Sequence, residues 1–341
     1  MKLKNLLLSL VITSGALFSL QSQDLHFSMW DMSPLTTNPA FTGAFSGTFR
    51  VGGIYRDQWR SIIGGDAFRT PSIYVDAPIL RGFRKNDWIG VGAGLFSDKA
   101  GSVELGYSGF MGSATYHLAL NKKGTTVLTL GAQFGKKNRN WNPDPKVAQF
   151  GDGLESGTTS NDVLATGSDK ADYNDWATGL LFKSNLNKTM DLTLGFAINH
   201  LTRPREFSFG TSGGDALRRP MLTTLHGQFN IGLTPKWVLT PQFFYQTTAG
   251  AQEIALQSWL GYKWNQDYNF RGGLGYRLGD AVEVLLGVDY KDLRVTAAYD
   301  VNISPLNEVS NYQGGFEIAA WYIVKIFKKP DVKPAILCPK L

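Results

Sequence analysis

From Thr48 onward, most of the chain alternates apolar residues with polar residues or glycine, in segments of about ten residues. The clearest segment spans residues 125–137. Its apolar positions are Leu128, Leu130, Ala132 and Phe134, and the positions between and after them are Thr129, Gly131, Gln133, Gly135 and Lys137. Because successive side chains of a strand point to opposite faces, this pattern predicts strands with one face suited to hydrocarbon and one that tolerates charge.

Fourteen such segments predict fourteen strands, and no helix of normal length competes with them. The predicted strands lie near residues 47–58, 70–77, 88–97, 103–118, 125–137, 174–183, 190–200, 221–233, 237–247, 252–264, 269–278, 281–290, 293–301 and 314–327. Strands of a soluble sandwich average ~5–6 residues, whereas about 9–11 are needed to cross a bilayer. The predicted fold is therefore all-β, a transmembrane antiparallel β-barrel of about fourteen strands.

The lengths of the connections indicate which end of the barrel faces outward. Outer-membrane barrels have short periplasmic turns and longer external loops. With both termini periplasmic, the odd-numbered connections are external, and they include the longest ones, 138–173 and 201–220. The external connection at Gly279-Asp280 is unexpectedly tight, which makes it the weakest point of the strand count.

Five tryptophans fall at predicted strand ends, where amphipathic rings collect at membrane boundaries. They are Trp59, Trp88, Trp176, Trp237 and Trp264. We interpret them as an aromatic girdle. The alternative is a set of core tryptophans in a soluble β protein.

Composition limits the function. Only 18% of residues are charged, against about 25% in soluble domains, yet after the first twenty or so residues no long apolar run predicts a membrane helix. The net charge of +6 is small and scattered, which argues against nucleic-acid binding. The single cysteine, Cys338, allows no intrachain disulfide.

Nothing in the sequence predicts catalysis, a metal or a cofactor. The histidines are too far apart for a recognisable zinc pattern, and no cysteine pair supplements them: they are His26, His117, His200 and His226. Residues 210–214 have the spacing of a nucleophile elbow, but they lie in a predicted loop with no strand before them and no helix after them. We predict that the protein is not an enzyme.

The two ends of the chain have their own signals. Residues 1–22 are predicted to be a cleaved signal peptide, because Lys2 and Lys4 precede an apolar stretch too short to span a bilayer well. An uncleaved N-terminal anchor is the alternative. Residues 23–46 form an N-terminal segment, residues 47–327 the barrel, and residues 328–341 a basic periplasmic tail. That tail is either simply solvated or a docking segment for a periplasmic partner.

Three motifs, taken in order, carry a family resemblance. The first is Asn38-Pro39-Ala40-Phe41 with Gly43, the second is Tyr55-Arg56-Asp57-Gln58-Trp59, and the third is the closing Cys338-Pro339-Lys340-Leu341. With a leader before them, they resemble the PorP/SprF family of the Bacteroidota type IX secretion system. The resemblance implies an integral outer-membrane protein that cooperates with secretion and is not an enzyme.

The N-terminal segment is predicted to fold back into the lumen. Asn38-Pro39 is a turn signal and Gly43 tolerates a positive φ. Inside the barrel, the segment would meet inward-facing polar residues, including Arg50, Arg56, Arg271 and Arg277, and close the pore. The alternative is an ordered lead-in on the periplasmic rim.

The resemblance implies one of two roles. One is an accessory partner that helps secrete a cell-surface adhesin or effector and anchors it through its C-terminal targeting domain. The other is a core component that contacts the periplasmic lipoprotein ring. We favour the accessory role, because two external loops carry opposite charges that suit a protein partner. Their candidate partner-binding residues are Asp144, Asp152, Glu155 and Asp162 in the first loop, and Arg203, Arg205, Arg218 and Arg219 in the second.

Two alternatives stay open at this point. The opposed charges would also brace the two loops against each other without any partner. A passive porin or a transporter of hydrophobic compounds is a different class of function that fits the same fold.

Overall fold

The computed structural model describes residues 26–326, apart from residues 83, 85, 102–104, 141–169, 207–216 and 306. Within these residues, fourteen antiparallel strands close into one barrel, and two short strands, β8 and β9, pair outside it. The strands are β1 (Phe49–Gln58), β2 (Phe68–Ile79), β3 (Trp88–Ala100), β4 (Leu105–Ala119), β5 (Thr126–Asn140), β6 (Lys170–Asn185), β7 (Met190–Asn199), β8 (Arg205–Glu206), β9 (Leu217–Arg218), β10 (Leu222–Gly232), β11 (Trp237–Thr248), β12 (Ala251–Lys263), β13 (Tyr268–Arg277), β14 (Ala281–Tyr290), β15 (Leu293–Asn302) and β16 (Gln313–Val324).

All fourteen predicted barrel strands are confirmed, with ends that shift by a few residues. Each barrel strand pairs with the barrel strands before and after it in sequence, so that β7 pairs with β10, and β16 pairs with β1 to close the barrel. Strands β4, β5 and β6 have 15, 15 and 16 residues, more than the ~9–11 needed to cross a bilayer. This side of the wall therefore extends beyond the hydrocarbon layer.

The two faces of the wall differ as the alternation predicted. Outward-facing Leu130, Leu274 and Leu286 are 58%, 65% and 62% exposed. Thr129, which precedes Leu130, and Glu283, in the same strand as Leu286, face inward and are buried. The outer band suits lipid, whereas the polar groups face the lumen.

The two ends of the barrel differ in their connections. At the turn end, where β1 begins and β16 ends, the connections between strands are short. At the loop end lie the connections that include residues 141–169 and 200–221. The tight connection predicted at residues 279–280 is present, with Gly279 at φ +72°, and a second tight turn occurs at Ala249-Gly250.

Six short helical turns complete the described structure, and among the described residues no helix is long and apolar enough to cross a membrane. Three of the turns lie after β1 or before β16: Arg60–Ile63, Gly64–Asp66 and Asn307–Ser310. The other three lie in the N-terminal segment: Trp30–Met32, Pro34–Thr37 and Pro39–Phe41.

Residues 26–47, called the lumen segment below, run inside the barrel from the loop end to the turn end. Met29, Met32 and Ala40 are completely buried. Each of three apolar clusters in the lumen contains a residue of this segment, for example Met29 with Trp259 and Leu285. The barrel core is therefore built around the lumen segment.

Candidate functional site

The lumen segment is bound near the loop end by buried charged side chains, here called the loop-end anchor. Glu317 of β16 accepts hydrogen bonds from the backbone N–H groups of Ser28 and Met29, at 2.8 and 3.0 Å. Asp300 of β15 accepts a bond from the Ser28 hydroxyl at 3.1 Å. Two neighbouring strands thus hold two successive residues of the segment.

Two arginines complete the loop-end anchor. Arg277 of β13 donates to Glu283 at 2.8 Å and to Asp300 at 3.2 Å, and it also bonds the Ser28 hydroxyl. Arg56 of β1 donates to the His26 carbonyl at 3.0 Å. Its guanidinium also lies within 3.6 Å of Asp300 and Glu317.

The lumen segment supplies hydrogen bonds to a buried carboxylate of the loop-end anchor. Three carboxylates, Asp300, Glu283 and Glu317, are buried with two arginines. A buried carboxylate without a partner is strongly unfavourable, and hydrogen bonds to charged groups are stronger than neutral ones. The amides of Ser28 and Met29 supply the missing donors to Glu317, so the segment is part of the electrostatics of the wall.

Asn38 holds the middle of the segment. Its side-chain oxygen accepts a bond from the Ala40 N–H at 2.9 Å, which caps the turn Pro39–Phe41. Its amide nitrogen donates to the carbonyls of Leu180 and Phe196, at 3.1 and 3.3 Å, and lies 3.0 Å from His226 Nε2. Asn38 is completely buried, so all these bonds are made away from solvent.

Glycines on the inner wall make room for this turn, and we call Gly131, Gly179 and Gly195 the glycine cradle. A Cβ atom at Gly131 would lie 2.6 Å from the Ala40 nitrogen, and one at Gly179 would lie 1.9 Å from the Asn38 side-chain oxygen. Gly195 leaves room for the His226 ring. The glycines at these three positions therefore have a steric reason.

Toward the turn end, hydrogen bonds hold the segment at Thr42 and Gly43. The Thr42 carbonyl accepts bonds from Thr115 Oγ1 and His117 Nε2, both at 2.9 Å. The Gly43 N–H donates to Asp76 at 2.8 Å, and its carbonyl accepts from the Trp88 ring at 3.0 Å. Gly43 has φ +68°, as its position in the motif predicted.

Trp88 corrects the girdle interpretation. Its ring stacks on His117 at 4.4 Å, so it faces the lumen segment instead of lipid. Trp176, Trp237 and Trp264 are exposed on the described surface, consistent with a girdle. Trp59 is half-buried and packs against Phe68 at 5.1 Å.

The motif of residues 55–59 contributes one residue to the loop-end anchor, and its other residues shape the end of β1 and the turn that follows. Arg56 belongs to the loop-end anchor. The Tyr55 hydroxyl donates to Asp57 at 3.1 Å, and Gln58 is half-buried at the end of β1. Trp59 has a left-handed backbone, φ +62°, and turns the chain out of the strand.

The charged loops are only partly described. Arg203, Arg205 and Arg218 are exposed at the loop end, and Arg205 pairs with Arg218 across β8 and β9. Arg219 is buried: its guanidinium donates to His200 at 3.1 Å and lies 4.5 Å from the Tyr107 ring. Arg219 is thus part of the inner packing and does not offer its charge to a partner.

The remaining predicted residues lie outside the described residues. They are Asp144, Asp152, Glu155 and Asp162 of the first loop, and Cys338, Pro339 and Lys340 of the tail. The predicted signal peptide lies outside as well. In the part of the chain that is described, no group of three His, Cys, Asp or Glu residues is placed to hold a metal ion.

Sequence reasoning identified Arg56 and Arg277 but missed their acidic partners. Glu283, Asp300 and Glu317 occupy inward positions of their strands, between outward apolar residues. The signal available in the sequence was a carboxylate between two apolar residues of a predicted strand. Their convergence on Ser28 depends on contacts across more than 200 residues and has no local pattern.

Comparisons with known proteins agree with the barrel. Similar solved structures include a deletion mutant of the TodX monoaromatic hydrocarbon channel, with a TM-score of 0.51, 11% identity and coverage of 87% of this chain and 94% of that one. The P. putida toluene transporter TodX has a TM-score of 0.49, 12% identity and coverage of 86% and 94%. The KdgM porin has a TM-score of 0.38 and 10% identity, and the match covers 82% of this chain and 99% of that one. At such identities the likeness concerns the fold alone.

Sequence comparisons give a family. No curated protein matches the chain. A family model described as "Type IX secretion system membrane protein PorP/SprF" matches residues 19–322, which include the lumen segment and nearly all of the barrel.

Proposed function

The chain belongs to the PorP/SprF family of type IX secretion system membrane proteins. Since it is an outer-membrane barrel of a secretion-system family, we propose that it is an accessory secretion partner. In this proposal, its loop end receives the C-terminal targeting domain of one secreted adhesin or effector. The barrel then holds that client on the cell surface.

The observation that carries the proposal is the filled lumen. The lumen segment occupies the barrel from the loop end to the turn end, with buried hydrogen bonds to β15 and β16 at one end and to β2 and β3 at the other. A barrel built in this way suits a rigid holding platform better than a conduit. Its client would bind outside the lumen, at the loops.

The exposed arginines at the loop end support the same proposal. Arg203, Arg205 and Arg218 bring like charges together on one short connection. Like charges at close range repel unless an acidic surface compensates them, so this connection suits an acidic region of a client. The connection 141–169 is acidic in sequence and, in this proposal, offers the client a second contact of opposite charge.

Capture of the client tests the proposal. The secreted protein encoded beside this one should co-purify with the detergent-extracted barrel. Capture should fall about tenfold or more in the triple variant Arg203→Glu, Arg205→Glu, Arg218→Glu. It should also be lost when residues 142–168 are replaced by a short Gly-Ser linker that leaves β6 intact.

A matched control places the same charge change at the opposite end of the barrel. Lys122→Glu, Lys123→Glu and Lys236→Glu alter exposed turn-end residues and should leave client capture unchanged. Recovery of only periplasmic ring lipoproteins, unaffected by the loop-end variants, would instead assign the core role. Steady conductance of the wild-type barrel would favour a porin or transporter.

A further inference from the structure

A polar cavity of about 370 Å³ lies at the turn end of the lumen, at the opposite end from the loop-end anchor. Its volume falls within the range of small-ligand sites, roughly 300–1,000 Å³. Four cationic side chains line it, from Arg50, Lys183, Arg271 and Arg294. Lys183 is exposed, so the cavity reaches the surface of the barrel.

Two of the four cations are already neutralised. Arg50 donates two bonds to Asp76, both at 2.9 Å. Arg294 donates two bonds to Asp289, at 2.6 and 3.0 Å. Paired bonds of this kind are strong and directional, so these two arginines form the walls of the cavity and hold little unused charge.

Arg271 is different. Its guanidinium lies 4.8 Å from the centre of the Trp259 ring, and among the described residues no carboxylate pairs with it. Its Nη1 atom is buried and lacks a hydrogen-bond partner. A buried donor without an acceptor is costly and marks a place where a partner group belongs.

An unpaired acceptor lines the same cavity. Asp31 of the lumen segment is the one carboxylate among the described lining residues, and its Oδ1 atom is buried without a hydrogen-bond partner. The cavity therefore offers an unused N–H donor and an unused oxygen acceptor. A ligand that carries both an anionic oxygen and an N–H group would satisfy them together.

We propose that this turn-end cavity binds a carboxylate-bearing segment of an acidic peptide, with the carboxylate on Arg271 and a peptide N–H on Asp31. Lys183 adds a positive charge at the rim. A free inorganic phosphate shares the anionic chemistry and can donate a P–OH group to Asp31, but it is too small to reach the amide and aromatic side chains that line the rest of the cavity.

The rest of the lining favours a peptide as well. The side-chain amides of Gln228, Asn230 and Asn269 line the cavity, as do the rings of Phe45 and Trp321. Amides bond the peptide backbone, and rings pack against its side chains. The cavity volume of about 370 Å³ is more than a single carboxylate or phosphate fills.

Binding to the whole purified protein in detergent tests the proposal. The probe is acetyl-Gly-Asp-Glu-Gly-amide, measured by calorimetry at low salt against its amide counterpart acetyl-Gly-Asn-Gln-Gly-amide. The acidic peptide should bind at least tenfold more tightly. Arg271→Gln should weaken it about tenfold or more, and Arg271→Lys should lie between the two.

Controls separate this site from general charge effects. Lys236→Gln removes an exposed cation from the β10–β11 turn at the same end and should change affinity less than twofold. Lys183→Gln keeps the buried wall intact and should weaken binding by a few-fold, which remains informative if Arg271→Gln does not fold. Equal affinity for inorganic phosphate would reassign the site to a free anion and overturn the peptide proposal.

Absence of binding to wild type, or binding unchanged in Arg271→Gln, would also overturn it. The site lies at the turn end and the test uses no secreted client. Failure of this proposal is therefore distinguishable from failure of client capture at the loop end.

Discussion

The loop-end anchor holds Ser28 and Met29 with buried carboxylates and arginines, whereas the glycine cradle holds Asn38 and Ala40 with neutral bonds and close backbone contact. The first depends on charge balance and the second on space. Removing one partner of a buried charge pair lowers the stability of the protein strongly. A close steric fit is destabilised chiefly when a side chain is added to it. The same segment is thus secured by two regions that fail in different ways.

Removing the segment that both regions hold should have the largest effect. Deletion of residues 23–46 takes away all of the lumen segment except Gly47, so a barrel that still assembles should change from closed to steadily conducting. Planar bilayer recordings of wild type and deletion compare the two directly. Equal conductance would show that the segment does not close the pore.

Arg277→Gln should have the next largest effect, because it breaks only the loop-end anchor. It leaves the buried carboxylates of Glu283 and Asp300 short of a positive charge, and removing one partner of a buried pair typically costs about 3–5 kcal/mol. Thermal unfolding in detergent measures the loss of stability. Arg205→Gln, exposed at the same end, is the matched control and should stay within about 0.5 kcal/mol.

Gly131→Val should disturb only the glycine cradle. The new Cβ atom would meet the backbone of Pro39 and Ala40 at 2.6–2.8 Å, and backbone cannot move aside as a flexible side chain does. Overpacking of this kind costs about 2–3 kcal/mol. Hydrogen exchange of residues 36–44 should rise while that of residues 27–30 changes less.

The control for this variant is Gly112→Ala, where a Cβ atom would meet nothing within 4 Å. It should leave both stability and exchange nearly unchanged. Equal disturbance at both ends of the segment in Gly131→Val would mean that the two regions are one cooperative unit.

Asn38→Ala should have the smallest effect and show what the hydrogen bonds of Asn38 contribute. It removes the acceptor that caps Ala40 and the donor to the Leu180 and Phe196 carbonyls. We expect a loss of about 1–2 kcal/mol, the cost of leaving buried groups unpaired. Asn38→Asp keeps the cap but places a carboxylate in a fully buried site that faces two carbonyl oxygens, so it should be less stable than Asn38→Ala in the same unfolding assay. The reverse order would mean that the retained cap outweighs the cost of the buried carboxylate.

The sequence allowed the strands of the barrel wall to be predicted far better than the contacts inside the lumen. Strand positions follow from a local period of two, so β5 was located by the alternation of residues 125–137 alone. The loop-end anchor joins Ser28 to Glu317, a separation of 289 residues, and no local pattern encodes that contact. Trp88 shows the same limit: its place at a strand end predicted lipid, but His117 on the adjacent strand fixes its ring inside.

The glycine cradle was predictable in kind but not in place. The alternation placed glycines such as Gly131 on the polar face of their strands. Which glycines contact Asn38 depends on how β5, β6 and β7 are staggered, which the sequence does not specify. The exposed arginines were found from their loop, yet Arg219 turns inward because Tyr107 and His200 lie beneath it.

Glu317 also lies where the barrel closes. It stands directly opposite Arg56 in the pairing of β1 with β16, the contact between the first and last strands. Both residues hold the lumen segment, Glu317 through the amides of Ser28 and Met29 and Arg56 through the His26 carbonyl. Closing the cylinder and filling it are consequently coupled steps of assembly, and an empty barrel would have a weakened joint between its first and last strands.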